Sequence, residues 1–482
     1  MRQVSRILLL AISCLAVSGF AQENKPFLDP DAERQALRVV DAWLEASREL
    51  DRIPAMSVGV VRGDKLVWTK GYGTVDKRGT VPADAKTLYS VCSITKLFTS
   101  IAVMRLYDQQ KVRLDDDLAR LLPEHRVGPP DSDAAPITVR GLLSHSSGLP
   151  REAAFAYWSA PDFTFPTTKQ VREKLSSQSM LYQPAQRYQY SNLGILLVGE
   201  VIANVTGQSY ESYVTANVLD PLGMKQTRFG LPMDLYEKQL AVGYGALKRD
   251  GTRDVVNPFR VEGMAAAAGL TSNVEDLARF ISWNFHLLRS GGTDIVRAST
   301  LRDMQRVHWT DMDGKTTWGL GFAVRYEGGK NIVSHAGWCP GYRTGIRMQP
   351  DEDLGIIVLT NVPNNLAKYT NGIAKILAKA KKIETTKAGE AVTIFEEYAG
   401  RYNSQPWSTE LVVLPWGTHL AAFTIPIDDF DAEMGILKPT GKDTFRRVND
   451  DNTLGAETRF ERGANGRVTR IVTNSQFSER LD

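Results

Sequence analysis

Ser93-Ile94-Thr95-Lys96, standing where a strand-rich N-terminal stretch gives way to an apolar run, decides how this chain is read. A serine three residues before a lysine puts both side chains on one helix face, about one turn apart. At a helix start the serine also lies near unpaired backbone N–H groups and the positive dipole end, which favour developing negative charge. A lysine held neutral beside it can take the serine's proton, as activation of a serine nucleophile requires. A chain of this length contains about one or two such pairs by chance, so the surroundings must decide.

Those surroundings supply further motifs in order. Leu142-Leu143-Ser144-His145-Ser146-Ser147-Gly148-Leu149-Pro150 comes first, and Tyr190-Ser191-Asn192 then opens an apolar segment. Pro221-Leu222-Gly223-Met224 follows, and His335-Ala336-Gly337 ends a strand-like run. In this order and spacing the set resembles the serine β-lactamase and penicillin-binding protein superfamily, nearest its class C β-lactamase, DD-peptidase and esterase branch. The resemblance covers roughly residues 51–380. It implies an α+β fold: an antiparallel sheet flanked by helices, with an all-helical region inserted.

The resemblance also implies roles. Ser93 would be the nucleophile, Lys96 its proton partner, and Tyr190 a catalytic phenol that is partly ionised or relays a proton. Asn192 would hold Lys96 and bind the acyl-amide side of a substrate. The oxyanion hole would be the backbone N–H groups of Ser93 and Trp338. Ala336, Gly337 and Trp338 would line the substrate site, with Gly337 letting the strand approach the substrate without a Cβ in the way. His335 stands where many relatives have lysine, and its charge near neutral pH is expected to be partial. Ala336 replaces the usual hydroxyl that helps hold a substrate carboxylate; Arg343 is an alternative holder or a plain surface arginine. His145 belongs to a stretch that is structural in the family.

The implied function is an exported serine hydrolase acting through a Ser93 acyl-enzyme on a small ester, amide or D-amino-acid peptide. Esterase or peptidase activity is favoured over efficient β-lactam hydrolysis. The alternative is a penicillin- or peptidoglycan-fragment sensor that acylates without efficient turnover.

Composition sets limits. The chain has 482 residues, 43% apolar and 23% charged, with 58 basic against 55 acidic side chains, an ordinary globular balance. No basic tract stands out, so nucleic acid is not an expected partner. The six histidines show no metal-ligand spacing, and neither metal nor cofactor is expected. Arg2 and Arg6 precede the apolar run 7–17, and Gly19-Phe20-Ala21 offers small residues, so residues 1–21 read as a signal peptide. That run is too short to span a bilayer, for which about 20 residues are needed. Cys14 lies inside the apolar run, with Ala11 where lipoproteins usually carry a larger aliphatic, so cleavage after Ala21 is expected over lipidation. The destination is periplasmic or secreted, and the oligomeric state is open. Cys92 and Cys339 then remain. Some class A carbapenem-hydrolysing relatives carry a disulfide at matching places, which implies a Cys92–Cys339 bond in an oxidising compartment, against two free thiols.

Along the chain, residues 29–50 carry apolar side chains at helical spacing, and residues 56–61 and 66–70 flank a Gly63-Asp64 turn. Residues 93–109 read as an amphipathic helix and 273–289 as a helix, residues 320–326, 331–334, 344–348 and 353–359 as strands, and 366–380 as a closing helix. Residues 126–136 and 155–165 read as loops able to wall a cleft. The expected organisation is a hydrolase domain over 22–380, a charged linker over 381–392 and a small all-β domain over 393–482. The last is similar to the lipocalin-like tails of some β-lactamase-related proteins, with Asn465-Gly466 as a hairpin signal.

Overall fold

The structure, a computed structural model, describes residues 28–124, 127, 135–383 and 395–481. The expected signal peptide, most of the loop 126–136 and most of the linker lie outside these residues.

Helix α1 (Pro30–Leu50) begins where its sequence says it should: the Asp29 carboxylate accepts the Asp31 N–H at 2.9 Å. The hairpin β1 (Ala55–Arg62) and β2 (Lys65–Gly73) follows, then the short β3 (Tyr89–Ser90), a single 3₁₀ turn (Cys92–Ile94) and α2 (Thr95–Asp108). The inserted helical region carries α3 (Asn192–Thr206) and β4 (Arg228–Phe229); β5 (Leu270–Ser272) joins β3 and β4 in a small sheet. Helix α4 (Val274–Ser290) is capped by the Asn273 side chain, which accepts the Asp276 N–H at 2.9 Å. The remaining strands of the main sheet are β6 (Trp309–Thr310), β7 (Thr317–Trp318), β8 (Ala323–Glu327), β9 (Lys330–Cys339), β10 (Tyr342–Gln349) and β11 (Leu354–Thr360), before α5 (Ala367–Ala380).

The main sheet runs β2-β1-β11-β10-β9-β8-β7-β6, antiparallel at every pairing. Alternation sorts its side chains into two layers. Met56, Val58, Ile356 and Val358 pack against Trp43, Leu44, Tyr369 and Ile373 of α1 and α5. Ile357 and Leu359 join the other core with Leu277, Phe280 and Ile281 of α4. Covered on both faces, β11 reads as a continuous apolar run, Leu-Gly-Ile-Ile-Val-Leu-Thr, every residue buried. Helix α2, expected to be amphipathic, lies instead inside the second layer and is buried on almost every side, its Lys96, Thr99 and Ser100 included, so it presents no broad solvent face.

The C-terminal unit is a nearly closed antiparallel barrel: β12 (Gly400–Asn403), β13 (Glu410–Trp416), β14 (His419–Ile425), β15 (Gly435–Gly441), β16 (Thr444–Val448), β17 (Leu454–Arg462), β18 (Val468–Thr473) and β19 (Gln476–Glu479) in consecutive order. A Tyr402–Arg480 bridge brings the last strand back to the first. Val412, Trp416, Ala421, Phe423 and Ile425 dock the barrel on the α1 and α5 layer.

Some expectations shift. The strand expected from residue 320 starts at Ala323, because Gly321 turns the chain at φ +87° and sits against Ser100, where a Cβ would fall 2.1 Å from Oγ. Strands β12, β15 and β19 carried too little β-branched alternation, and in β15 too much Gly and Pro, to be read from sequence. The stretch 155–165 turns inward: Tyr157, Phe163 and Phe165 are buried, and both phenylalanines meet Phe259.

Candidate active site

The 3₁₀ turn that carries Ser93 starts from a strained residue that is tied down covalently. Cys92 takes φ +50°, a left-handed conformation uncommon outside glycine, and its sulfur is bonded to that of Cys339 with the two Cα atoms 5.9 Å apart. One turn on, Lys96 is fully buried, its Nζ 3.0 Å from Ser93 Oγ and donating to the Ala267 carbonyl at 2.7 Å. No carboxylate among the described residues forms an ion pair with it. Burial therefore pulls the Lys96 pKa well below the ordinary lysine value; the Glu152 charge opposes this and Arg151 adds to it.

Tyr190 and Asn192 flank Ser191, which caps α3: its Oγ accepts the Gly194 N–H at 2.8 Å and donates to the Pro150 carbonyl at 2.7 Å. The Tyr190 phenol lies beside the Ser93 side chain, and the Lys96 Nζ lies 5.1 Å from its ring centroid. Burial raises the Tyr190 pKa above the usual phenol range, outweighing the Ser93 hydroxyl and the Arg151 charge, so the phenol keeps its proton at neutral pH. Of the two expected roles, partial ionisation is not supported.

Asn192 departs from its expected contacts. Its Nδ2 donates to Glu152 Oε1 at 2.7 Å, and the Ala267 carbonyl, not Asn192, holds Lys96. Its buried Oδ1 has no partner. Glu152 also accepts from the Tyr157 hydroxyl and sits 3.2 Å from Arg151, whose guanidinium lies over the Tyr190 ring at 4.9 Å.

His335 is buried, with Nδ1 donating to the Ala336 carbonyl at 3.0 Å. Burial, then the Lys96 charge, pull its pKa down to about 3, against the Ala336 hydrogen bond. The expected partial charge near neutral pH gives way to a neutral imidazole whose Nε2 lone pair has no partner. His145, φ +57°, is equally buried; its Nδ1 accepts the Ser191 N–H at 3.2 Å and its ring lies 4.3 Å from that of Tyr190. It supports the tyrosine from beneath, as expected of a structural residue.

Strand β8 begins at Ala323, opposite Ser334, and reaches no further along β9. Residues 335–339 of β9 therefore have β10 on one edge and the Ser93 turn on the other. Cys339 and Tyr342 close a two-residue turn and form a hydrogen-bonded pair, so by alternation Trp338 turns its N–H away from β10, toward that turn. Gly337 is required by the approach: a Cβ there would fall 2.1 Å from the Val91 carbonyl oxygen and 2.3 Å from Thr344 Oγ1. Its clearance faces the nucleophile turn rather than the substrate side expected for it.

These groups open into a cavity of about 400 Å³ lined by Ser93, Arg151, Tyr190, Trp318, His335 and Trp338 among others. Trp338 is 62% exposed at its lip, with the Arg343 guanidinium 4.9 Å above its ring. Arg343 lines the same cavity and its buried Nε has no partner, so it is not a plain surface arginine. Sequence reasoning missed Arg151, Glu152, Ala267 and Trp318, whose indole meets the rings of His145, Tyr190 and His335. The Arg151-Glu152 pair directly after Pro150 was the one available signal.

A family model described as Beta-lactamase matches residues 40–381. "Beta-lactamase-like protein 2" of Dictyostelium discoideum is 28% identical over 335 residues, 68% of this chain, and the match spans 60% of that protein's length. "D-alanyl-D-alanine-carboxypeptidase/endopeptidase AmpH" of Escherichia coli (strain K12) is 27% identical over 376 residues, 76% of this chain and 93% of that protein. Among solved structures, the octameric penicillin-binding protein homologue from Pyrococcus abyssi superposes with a TM-score of 0.63 at 22% identity, covering 92% of this chain and 99% of its own.

Proposed function

Because this chain belongs to the β-lactamase family, we propose that Ser93 attacks the carbonyl of a small ester, amide or D-amino-acid peptide to form an acyl-enzyme that water then cleaves. The chain is a serine hydrolase of the β-lactamase-related type; the proposal concerns its residue roles, substrates and location. One observation carries it: a buried amine without a counter-ion, its pKa pulled well down by burial, 3.0 Å from a cavity-facing serine hydroxyl.

A neutral Lys96 spends one N–H on the Ala267 carbonyl and keeps its lone pair for the Ser93 proton. As Ser93 Oγ bonds to the carbonyl carbon, the proton passes to Nζ and the oxygen takes the charge. The N–H groups of Ser93 and Trp338 meet that charge, each such donor worth about 3 kcal/mol. Tyr190, protonated and beside Ser93, hands its proton to the leaving amine or alkoxide and recovers one from Lys96. Asn192 Oδ1, buried and unpartnered, is available to a substrate amide N–H. Arg343, which lines the same cavity as Ala336, would hold the anionic substrate group in place of the missing hydroxyl. A peptide substrate is supported by the carboxypeptidase/endopeptidase named among the relatives. Export is supported by the N-terminal pattern and by the Cys92–Cys339 bond, which persists in oxidising compartments. No helix among the described residues is long and apolar enough to cross a membrane.

The test is turnover of a chromogenic short-chain ester and a D-alanyl dipeptide against a chromogenic cephalosporin. Release beyond one equivalent, abolished in Ser93→Ala, supports the hydrolase. A single burst with all three substrates and no further release identifies the acylating sensor instead.

A further inference from the structure

The cavity that opens on Ser93 does not end at the nucleophile. It runs on over β9 and β10, where pairing sets Trp338 opposite Arg343, Ala336 opposite Gly345 and Ser334 opposite Arg347. Residues two apart share one face of a strand, so these six stand together, with Ala323 of β8 beside Ser334. The middle of this face is bare. Ala336 is exposed, and no packing demands the glycine at 345: a Cβ there would meet nothing nearer than Leu366 Cδ1 at 3.6 Å, an ordinary contact. What the missing side chain provides is an open trough across the two strands.

The charges lining it are of one sign. Arg151, Arg325, Arg343 and Arg347 all face this cavity, and among the described residues no aspartate or glutamate does. Arg151 has Glu152 at 3.2 Å. Arg325 and Arg347 share a single carboxylate, Glu327, at 4.0 and 3.6 Å. Arg343 pairs with no carboxylate among the described residues. Four guanidiniums thus meet two carboxylates, which leaves positive charge for an anionic ligand to balance. Arg347 is also fixed in place: its side chain is only 15% exposed, and its Nη1 donates to Asn371 Oδ1 at 3.2 Å. Arg343 and Arg347 lie four residues apart, about 13 Å along the strand, with the bare trough between them. Two long side chains reaching over it from either end can grip two carboxylates that are a few bonds apart.

A peptide cut at its last bond carries one carboxylate of its own on the residue released, and Arg343 suffices for that. The guanidiniums at the far end of the trough call for a second acid on the same residue. We propose that the residue released has an acidic side chain: the substrate is a peptide ending in D-glutamate or D-aspartate, its terminal carboxylate on Arg343 and its side-chain carboxylate on Arg347, with Arg325 at the rim. This rests on the hydrolase reading and names the substrate class of that same site.

Release of the C-terminal residue from D-alanyl-D-glutamate and D-alanyl-D-glutamine is compared in the full chain, with a chromogenic short-chain ester as the reference for Ser93 activity. The glutamine peptide has the same shape without the second charge. kcat/KM for the glutamate peptide should exceed that for the glutamine peptide about tenfold, mostly through KM. That ratio should shrink as ionic strength rises from about 0.05 to about 0.5 M. Arg347→Met, which keeps the packed stem, should bring the ratio close to one, and Arg347→Lys should retain part of it. Arg325→Ala, at the exposed rim, should lower it about threefold. Ester turnover with neither peptide cleaved, a ratio near one in the parent, or a ratio unaltered in Arg347→Met overturns the proposal and leaves the hydrolase reading standing. Absence of ester and peptide turnover alike removes both. If Arg347→Met fails to fold, Arg325→Ala and the salt dependence decide.

Discussion

Replacing Gly337 with alanine tests how closely the nucleophile turn and β9 must meet. The added methyl would lie 2.1 Å from the Val91 carbonyl oxygen, and contacts under 3.0 Å are essentially never seen, so the strand or the turn must retreat by close to 1 Å. Neither can move freely, because the disulfide ties the residue after Val91 to the end of β9. A misplacement of about 1 Å in a reacting geometry costs on the order of 100-fold, or about 2.7 kcal/mol of transition-state stabilisation. Gly337→Ala is therefore expected to lose about 100-fold in kcat/KM for a chromogenic ester, mostly in kcat, and about 1–3 kcal/mol of stability by urea unfolding. Adding Thr344→Ala clears the 2.3 Å contact but not the 2.1 Å one, which is main chain, so the double variant should recover little. A Gly337→Ala enzyme within threefold of the parent, or full rescue by Thr344→Ala, refutes the reasoning.

Ser93→Ala should reduce turnover by at least about 1000-fold with an unchanged melting temperature, since only a hydroxyl is removed; retained activity moves the nucleophile elsewhere. The Glu152 charge raises the Lys96 pKa, so Glu152→Gln, which keeps the acceptor for Asn192, should move the acid limb of the kcat/KM profile to lower pH; an unmoved limb excludes Lys96 as the base. His335 stays neutral when folded, with a pKa of about 3, but takes a proton below about 6.5 when unfolded, so stability falls as pH drops through that window. Between pH 7.5 and 5.5 its share is about 1.4 kcal/mol, and His335→Gln should lose that much less in urea unfolding. Reducing the Cys92–Cys339 bond, which spans 247 residues, should cost about 2–5 kcal/mol, read as a lower unfolding midpoint in reductant.

The parts of the site that sequence reasoning could name are those fixed by local geometry. Ser93 and Lys96 meet because they are one helical turn apart, and Tyr190 and Asn192 share one helix start. Apolar side chains at helical spacing announced α1 for the same reason, and the Asp29 and Asn273 caps lie at the starts expected for α1 and α4. What stayed hidden is set by contacts between distant elements. The carbonyl that holds Lys96 belongs to Ala267, a group every residue carries, and no side-chain pattern marks it. Glu152 captures Asn192 only because a separate loop passes beside α3. The protonation of His335 depends on how deeply β9 is covered, which no histidine in a sequence declares. Barrel strand β15 escaped because Gly435 and Pro439 face a cavity and a bulge rather than a packed core.

Strand β1 pairs with β11, Met56 against Thr360 and Arg62 against Leu354, while β9 and β10 hang from β11. The first strand made must wait for nearly the last of its sheet, and such long-range pairings are slow to form. Ser93 and Lys96 are synthesised early, but the peptide edge facing them exists only once some 240 further residues have emerged and the sheet has closed around them. A nascent or threading chain thus carries its serine and amine without the framework that makes them reactive, and hydrolysis begins only once the chain has been made through β11 and its sheet has closed.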